Sequence, residues 1–411
     1  MSTSPPLVVV IGAGAAGLMA AIHAAHGGAR VLLLERTPDG GRKILISGGG
    51  RCNVLPSHLD MTRYVTASSP NSLRMILRGW PLEDQRAFFE DVVGLPLRLE
   101  EETGKLFPVA DSARAVRDGL VQTAKARGVE WQSSVEVTAL EPLSPGWGIT
   151  LAGGRTIRAD AVIVATGGLS VPKTGSDGFA YTALAALGHT VHPTYPALTP
   201  LTLDPPIFAD LAGVSLPVTI EAKNATERRE ASGGFLFTHR GYSGPSVLDV
   251  SHVAVRARLA GEPPATITVQ WTAYDAPTWE AFLAPAAHQV GTVVRRELPT
   301  RLADRLLADV GIDPTRKLSQ LPRNGRKALV AALTRYPLPW TGDEGYKKAE
   351  VTGGGVALGE VQPATMESRI HPGLFLAGEL LDAFGPIGGY NFVWAWVTGR
   401  LAGLGAASRE A

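Results

Sequence analysis

Residues 7–35 read LVVVIGAGAAGLMAAIHAAHGGARVLLLE, and no other stretch limits the possible folds as tightly. LVVVI is a continuous apolar run of strand length, the pattern of a strand covered on both faces. GAGAAG fits G-x-G-x-x-G at Gly12, Gly14 and Gly17. The following LMAAIHAAHGG predicts a helix that ends at Gly27-Gly28, and ARVLLLE predicts a second buried strand that ends on Glu35. Strand, glycine turn, helix and terminal acid in that order specify the first βαβ unit of a dinucleotide-binding sheet. The glycines allow a tight turn and close approach to a pyrophosphate, while Ala15 and Ala16 open a helix whose N–H groups face it. Glu35 can accept hydrogen bonds from an adenosine ribose and disfavours a 2′-phosphate, so FAD and NAD remain and NADP does not. His23 and His26 on the crossover helix read as surface or packing residues.

The same apolar run could be mistaken for a signal peptide or an anchor. It lacks a positively charged start and is shorter than the ~20 apolar residues of a spanning helix. No membrane association is expected. At 411 residues the chain exceeds one compact core, so two or three domains are expected. A net charge of +1 excludes a whole-chain basic excess for nucleic acid. The single cysteine, Cys52, excludes an internal disulfide and suits a reducing cytoplasm. No second G-x-G-x-x-G follows a strand and no C-x-x-C pair exists, which excludes disulfide reductases with two dinucleotide domains. Any NADH or NADPH donor must dock without its own Rossmann domain. No histidine and carboxylate spacing suggests a metal site.

Six residues after Glu35 begins GRKILISGGGRCN, Gly41 to Asn53. Three glycines lie between Arg42 and Lys43 on one side and Arg51 on the other. Such a run is either a surface turn with solvated cations or a cradle for an anion, and its position favours the cradle. Here the sequence resembles the flavoproteins that include aminoacetone oxidase, the bile-acid enone reductases and the dihydrouridine synthases of ribosomal RNA. GGFLFTHRGYSGPSVLDVS (233–251), AEVTGGGVALGEV (349–361) and LFLAGELLDAFGPIGGYNFVWAWVTG (374–399) resemble further blocks of that family, in order along the chain. The resemblance implies non-covalent FAD. It places Arg36, Gly41, Arg42, Lys43, Ser47, Gly48, Gly49, Gly50, Arg51, Cys52 and Asn53 along the cofactor, with the triple glycine on the flavin side.

The residues support FAD independently. RADAVIVATGG (158–168) reads as a buried strand ending in Ala165, Thr166, Gly167 and Gly168, a small-residue crossing where backbone can approach a nucleotide. LFLAGE is a short strand ending at Gly378 and Glu379. After it, Gly388 and Gly389 open a helix at Tyr390 and Asn391, which are expected to contact flavin. Such a helix points N–H groups at an electron-rich edge such as a reduced flavin's N1–C2=O. Val137, in the strand-like stretch after Glu35, completes the expected cofactor contacts.

The remaining chain sets the domains. Residues 78–130 read as largely helical, and the segment from Trp131 alternates like antiparallel strands. A proline-rich β-type region begins near 190, and 278–332 is helical. The expected fold class is α/β, a Rossmann-type FAD-binding domain interrupted by a β-rich, barrel-like domain carrying a helical insertion. The boundaries read from the sequence are 1–190 and 346–411 for the FAD domain, 191–277 and 333–345 for the β-rich domain, and 278–332 for the insertion. His239 in FTHRGYSGP is the candidate proton donor, with a structural histidine as the equal alternative. Cys52 reads as packing rather than as a nucleophile. Between Arg295 and Lys327 nine Lys/Arg face four acids, which is either a solvated helical face or a phosphate-contacting surface. The expected activity is an FAD-dependent oxidoreductase, an NAD(P)H-linked reductase of a conjugated C=C bond in a small enone or in a ribosomal RNA uridine. The alternatives are a flavin amine oxidase using O2 and a non-catalytic flavin-binding regulator. A monomer or a homodimer would serve either.

Overall fold

The computed structural model describes residues 4–409. The chain divides into two compact units, one running to Tyr195 and resuming at Val351, the other spanning Pro196–Glu350.

The first unit is built on five parallel strands. In chain order these are β1 (Leu7–Ile11), β2 (Arg30–Glu35), β3 (Glu130–Ser133), β4 (Ala161–Val164) and β5 (Leu374–Leu376), in the spatial order β5-β4-β1-β2-β3. Val8, Val9, Val10 and all of β4 are fully buried or nearly so, as strands covered on both faces must be. Helix α1 (Ala15–His26) makes the crossover from β1 to β2, and α2 (Tyr390–Ala407) is the last helix of the chain.

The two helices meet backbone to backbone. A side chain at Gly399 would overlap the carbonyl of Ala16, and one at Gly403 would overlap that of Ala20. The four-residue spacing on both helices lets alanine ridges of α1 enter glycine grooves of α2. At the other end of α1, a Cβ on Gly27 would come within 2.7 Å of the Ala407 methyl.

Two segments differ from the sequence-based expectation. The stretch 78–130 is not largely helical. Strands Leu97–Glu100 and Lys105–Pro108 pair as a hairpin between the helices Leu82–Ala87 and Ala113–Ala126. Burial of Leu97, Leu106 and Phe107 and the positive φ of Gly104 outweigh the helix-forming acids between the strands. Glu130–Ser133 joins the parallel sheet beside β2, and only the strands Val137–Pro142, Trp147–Leu151 and Thr156–Ala159 form an antiparallel meander.

The second unit holds a seven-stranded sheet. Its longest strands, Ser215–Lys223 and Arg228–Phe237, pair antiparallel and turn Val218, Ile220 and Ala222 inward. Its two edge strands, Tyr336–Pro337 and Gly342–Asp343, lie at opposite ends of the strand order yet are joined by four residues. A link this short spans at most about 18 Å, so the sheet curls strongly. The helices between 276 and 334 are not a separate body. Leu302, Leu306, Leu329 and Leu333 share one core with Phe235, Trp271 and Trp279, because each amphipathic helix has one apolar stripe to cover.

His23 on α1 is buried, with its ring 5.2 Å from Phe88 and 5.5 Å from Trp80. Burial, then the positive charges of Arg400 and Arg127, push its pKa from 6.5 down to about 3. The folded protein therefore keeps His23 neutral where the unfolded chain takes up a proton. Its contribution to stability is complete above pH 6.5 and is lost as the pH falls toward 3, by at most ~1.4 kcal/mol per pH unit. His23→Leu is expected to flatten this acid limb relative to the parent. Urea unfolding of both proteins at neutral and mildly acidic pH checks it, and a constant difference between them would refute it.

Candidate functional site

Of the three glycines that open α1, two are required by packing. Gly12 has φ +98°, and a Cβ there would lie 2.6 Å from the Ala165 carbonyl oxygen at the end of β4. A side chain on Gly17 would overlap the Gly12 carbonyl, which fixes how closely α1 sits on β1. Gly14 is different. It is the N-cap of α1, no side chain caps the helix, no acid lies in the first turn, and a Cβ would meet nothing within 4 Å. The middle glycine thus opens the positive end of the helix to space, where Ala15 and Ala16 present their backbone.

Glu35, buried at the end of β2, is wired into the same loop. Its Oε2 accepts the Ala13 N–H at 2.7 Å, while its Oε1 accepts from the Thr37 N–H at 2.7 Å and the Thr37 hydroxyl at 2.6 Å. The Gly41 N–H in turn donates to the Ala13 carbonyl at 2.8 Å. Ala13 therefore couples the first glycine loop to both the acid and the second glycine segment. Val135 donates its N–H to the Glu35 carbonyl, which brings Val137, buried, alongside the end of β2.

The second segment forms the short helix Arg42–Ile46 and the turn Ser47–Gly50. Gly48, Gly49 and Gly50 all take positive φ, and Cβ atoms on Gly49 or Gly50 would meet nothing within 4 Å. The flanking cations do not converge as free charges. Arg36 pairs with Asp177 and Glu136, Arg42 with Asp39 at 2.7 Å, and Arg51 with Glu100 at 3.0 Å while lying 4.2 Å over the Phe107 ring. Cys52 is fully buried, and burial pushes its thiol up to about 12, so it stays protonated and packs.

Lys43 serves a half-buried junction. Its Nζ donates to Glu379 Oε2 at 2.5 Å and to Ser170 Oγ at 2.6 Å. Glu379 Oε1 also accepts from the Ser170 hydroxyl at 2.6 Å and from the Thr352 N–H and hydroxyl at 3.0 and 2.9 Å. Gly168 has no room for a side chain, since a Cβ would lie 2.5 Å from Thr352 Oγ1, and Gly167 beside it has φ +76°. Gly378 is held by α2, donating to the Thr398 hydroxyl at 2.9 Å and accepting from the Trp394 indole at 3.1 Å.

The start of α2 supplies the other end of the site. Gly388 and Gly389 both have positive φ, and α2 begins at Gly389 with neither a side-chain cap nor an acid in its first turn. Asn391 closes the loop before it, accepting from the Gly385 N–H and donating to the Gly385 carbonyl, both at 2.9 Å. The Tyr390 hydroxyl accepts the Asp60 N–H at 3.3 Å. Of the buried side-chain atoms without a hydrogen-bond partner among the described residues, two lie in these loops: Asn53 Oδ1, beside Gly389, and Thr166 Oγ1, just after β4. Both oxygens can accept from a group bound in these loops, and the Thr166 hydroxyl can also donate to it. Two open glycine turns, two uncapped helix starts and two orphan oxygens fit a long dinucleotide ending in a polar heterocycle.

His239 lies in the other unit. It is exposed, on the turn that joins Arg228–Phe237 to Gly241–Ser243. Ser170, Thr352, Thr37 and Thr398 escaped the sequence reading. The only signal was the hydroxyl next to a glycine run in TGGG (352–355), which does not say what the hydroxyl holds.

Residues 6–405 match the family described as HI0933-like protein Rossmann domain. The chain belongs to this family. It is 36% identical to the ribosomal RNA dihydrouridine synthase of Escherichia coli, over 94% of each chain. It is 33% identical to the 3-dehydro-bile acid delta(4,6)-reductase of Clostridium scindens, over 97% of this chain and 98% of the other. Among solved structures, Mycobacterium smegmatis Sdh1 in complex with UQ1 superimposes with a TM-score of 0.50 at 19% identity, covering 98% of this chain and 68% of the other, which speaks to the fold alone. The protein is an FAD-dependent oxidoreductase of this family. Among the described residues no helix is long and apolar enough to cross a membrane.

Gly14→Val places a side chain in open space, where the expected cofactor site lies. We predict that it keeps the parent's far-UV spectrum and loses bound FAD. Glu35→Ala should also lose FAD and, through Ala13 and Thr37, cost about 1–3 kcal/mol of stability. The flavin-to-protein absorbance ratio after gel filtration measures both, and full occupancy in both variants would move the cofactor elsewhere.

Proposed function

We propose that the protein is an NAD(P)H-linked reductase of a C=C bond conjugated to a carbonyl, in a small enone or a uridine of ribosomal RNA. The start of α2 carries this reading. An uncapped, acid-free helix N-terminus suits negative charge that develops on reduction, and the orphan Asn53 Oδ1 beside it suits a ring N–H that donates to it. The names of the two relatives support the same bond type on two substrates, a ribosomal RNA and a bile acid.

Bound FAD would carry the two electrons from donor to substrate. The chain's own residues do the rest. Gly12, Gly14 and the first turn of α1 would bind the pyrophosphate, with Glu35 on the ribose. Lys43, Ser170 and Thr352 hold Glu379 and Gly378 in place. Asn53, Thr166 and the first turn of α2 would orient the ring. Addition of hydrogen across a polarised C=C also needs a proton, and His239 is our candidate donor. The single cysteine, buried and protonated, suits a reducing cytoplasm, where we place the protein.

Anaerobic stopped-flow mixing with NADH or NADPH tests the reading. The flavin should bleach and then recover on addition of an enone or a uridine-containing RNA. His239→Gln should slow the recovery by about 10²–10⁴-fold without changing the bleaching. A flavin that is bleached by a small amine and recovers only with O2 would replace this reading with an amine oxidase.

A further inference from the structure

The basic stretch from Arg295 to Lys327 separates into two halves once its partners are known. In the first half every cation is engaged within its own unit. Arg295 pairs with Asp304 at 2.6 Å, Arg296 with Glu297 at 2.7 Å and Arg305 with Asp309 at 2.8 Å, while Arg301 donates to the Asp210 carbonyl at 2.7 Å. In the second half Arg316, Lys317, Arg323, Arg326 and Lys327 have no hydrogen bond or ion pair from their side chains among the described residues. All but Arg326 are exposed, and Arg326 is half-buried. One acid of the stretch remains near them, Asp313, whose Oδ1 already accepts from the Thr315 N–H and hydroxyl at 2.8 and 2.7 Å.

These five cations sit on fixed backbone. The loop that carries Arg316 and Lys317 is held to residues 286–291, with the Val290 N–H donating to the Arg316 carbonyl and the Leu318 N–H to the His288 carbonyl, both at 2.9 Å. Helix Arg323–Thr334 packs its start on the same loop, with Gly325 against Leu321 and Ile312. Arg323, Arg326 and Lys327, spaced i, i+3 and i+4, share one sector of this helix. Their placement is electrostatically unfavourable. Cations in a first turn oppose the helix dipole, and like charges at i, i+4 repel. No acid lies in that turn and no side chain caps it. A bound polyanion would relieve both penalties.

We infer that Arg316, Lys317, Arg323, Arg326 and Lys327 form a docking surface for the phosphodiester backbone of RNA, an inference that rests on the uridine form of the proposed function. RNA is favoured over a lipid surface by what surrounds the charges. Thr315, Ser319, Gln320 and Asn324 are exposed between them and can bond phosphate and sugar oxygens. Leu318, Leu321 and Leu329 are buried, so no large apolar side chain of this stretch is exposed to insert into a bilayer.

The test uses the FAD-loaded full chain and a fluorescent, uridine-rich RNA oligonucleotide, titrated between about 50 and 200 mM salt. The parent should bind with a steep salt dependence. Arg323→Gln/Lys327→Gln should weaken binding for every RNA sequence and lower the log–log salt slope by roughly 1.4, two single-strand contacts. The same double variant should melt no lower than the parent, since it removes repulsion. Arg295→Gln, whose partner is internal, should leave the slope unchanged. Absence of RNA binding, an unchanged slope in the double variant, or equal capture by phosphatidylserine vesicles would each overturn the surface. Reduction of a small enone by the double variant at the parent's rate, with RNA binding lost, would support it. RNA binding with the expected slopes but no C=C reduction on any substrate would uphold the surface and sink the reductase reading.

Discussion

The contact between α1 and α2 is the constraint on which the rest of the first unit depends. Gly399 and Gly403 let the last helix of the chain lie against the carbonyls of Ala16 and Ala20, four residues apart on the first. Because α1 is itself pressed onto β1 by Gly17, the position of α2 is referred directly to the glycine loop. From there Trp394 and Thr398 fix the Gly378 turn, and the start of α2 falls beside Asn53. The two uncapped helix starts, at Gly14 and Gly389, are thereby set by one helix pair, although they lie more than 370 positions apart. A single methyl group at either glycine would force the helices apart, and close-packed interiors do not absorb such a shift locally.

A unit assembled from the two ends of a chain can tolerate a large insertion if the chain leaves and returns at neighbouring points. It does so here. Strand Val191–Ala197, on which the chain leaves, lies beside strand Val351–Val356, on which it returns. The 155 residues of Pro196–Glu350 therefore ask nothing of the nucleotide sheet and keep a core of their own.

Two glycine runs of similar appearance do different things. In SGGG, at 47–50, Cβ atoms on the last two glycines would meet open space, so backbone is left bare for a ligand. In TGGG, at 352–355, side chains would collide with Tyr195, with the Pro193 carbonyl and with the Leu380 carbonyl, so the absence of side chains serves packing. The cations divide in the same way. Arg36, Arg42, Lys43 and Arg51 flank the SGGG segment, yet each has its own carboxylate. The backbone N–H groups at the starts of α1 and α2, by contrast, are uncapped and need no counter-ion of their own, so they are the groups the fold leaves open to an anion.

The sequence by itself determined the nucleotide-binding unit. A period of hydrophobicity, three glycines and a terminal acid within residues 7–35 are local properties, and each can be fulfilled by the segment and its immediate neighbours. LVVVI, GAGAAG and the strand ending at Glu35 accordingly stand where their pattern puts them. What the sequence left open were pairings between distant residues. Nothing local says that Lys43 meets Glu379, that Thr352 and Ser170 complete the same junction, or that a hairpin interrupts the acidic stretch before residue 105. The same holds for the basic stretch, where only the folded unit shows which cations have internal partners. Charge and hydrogen-bonding capacity are written in the sequence, but whether they are spent inside the protein or left for a ligand depends on which partners the fold brings within about 3 Å, and that was decided by tertiary structure alone.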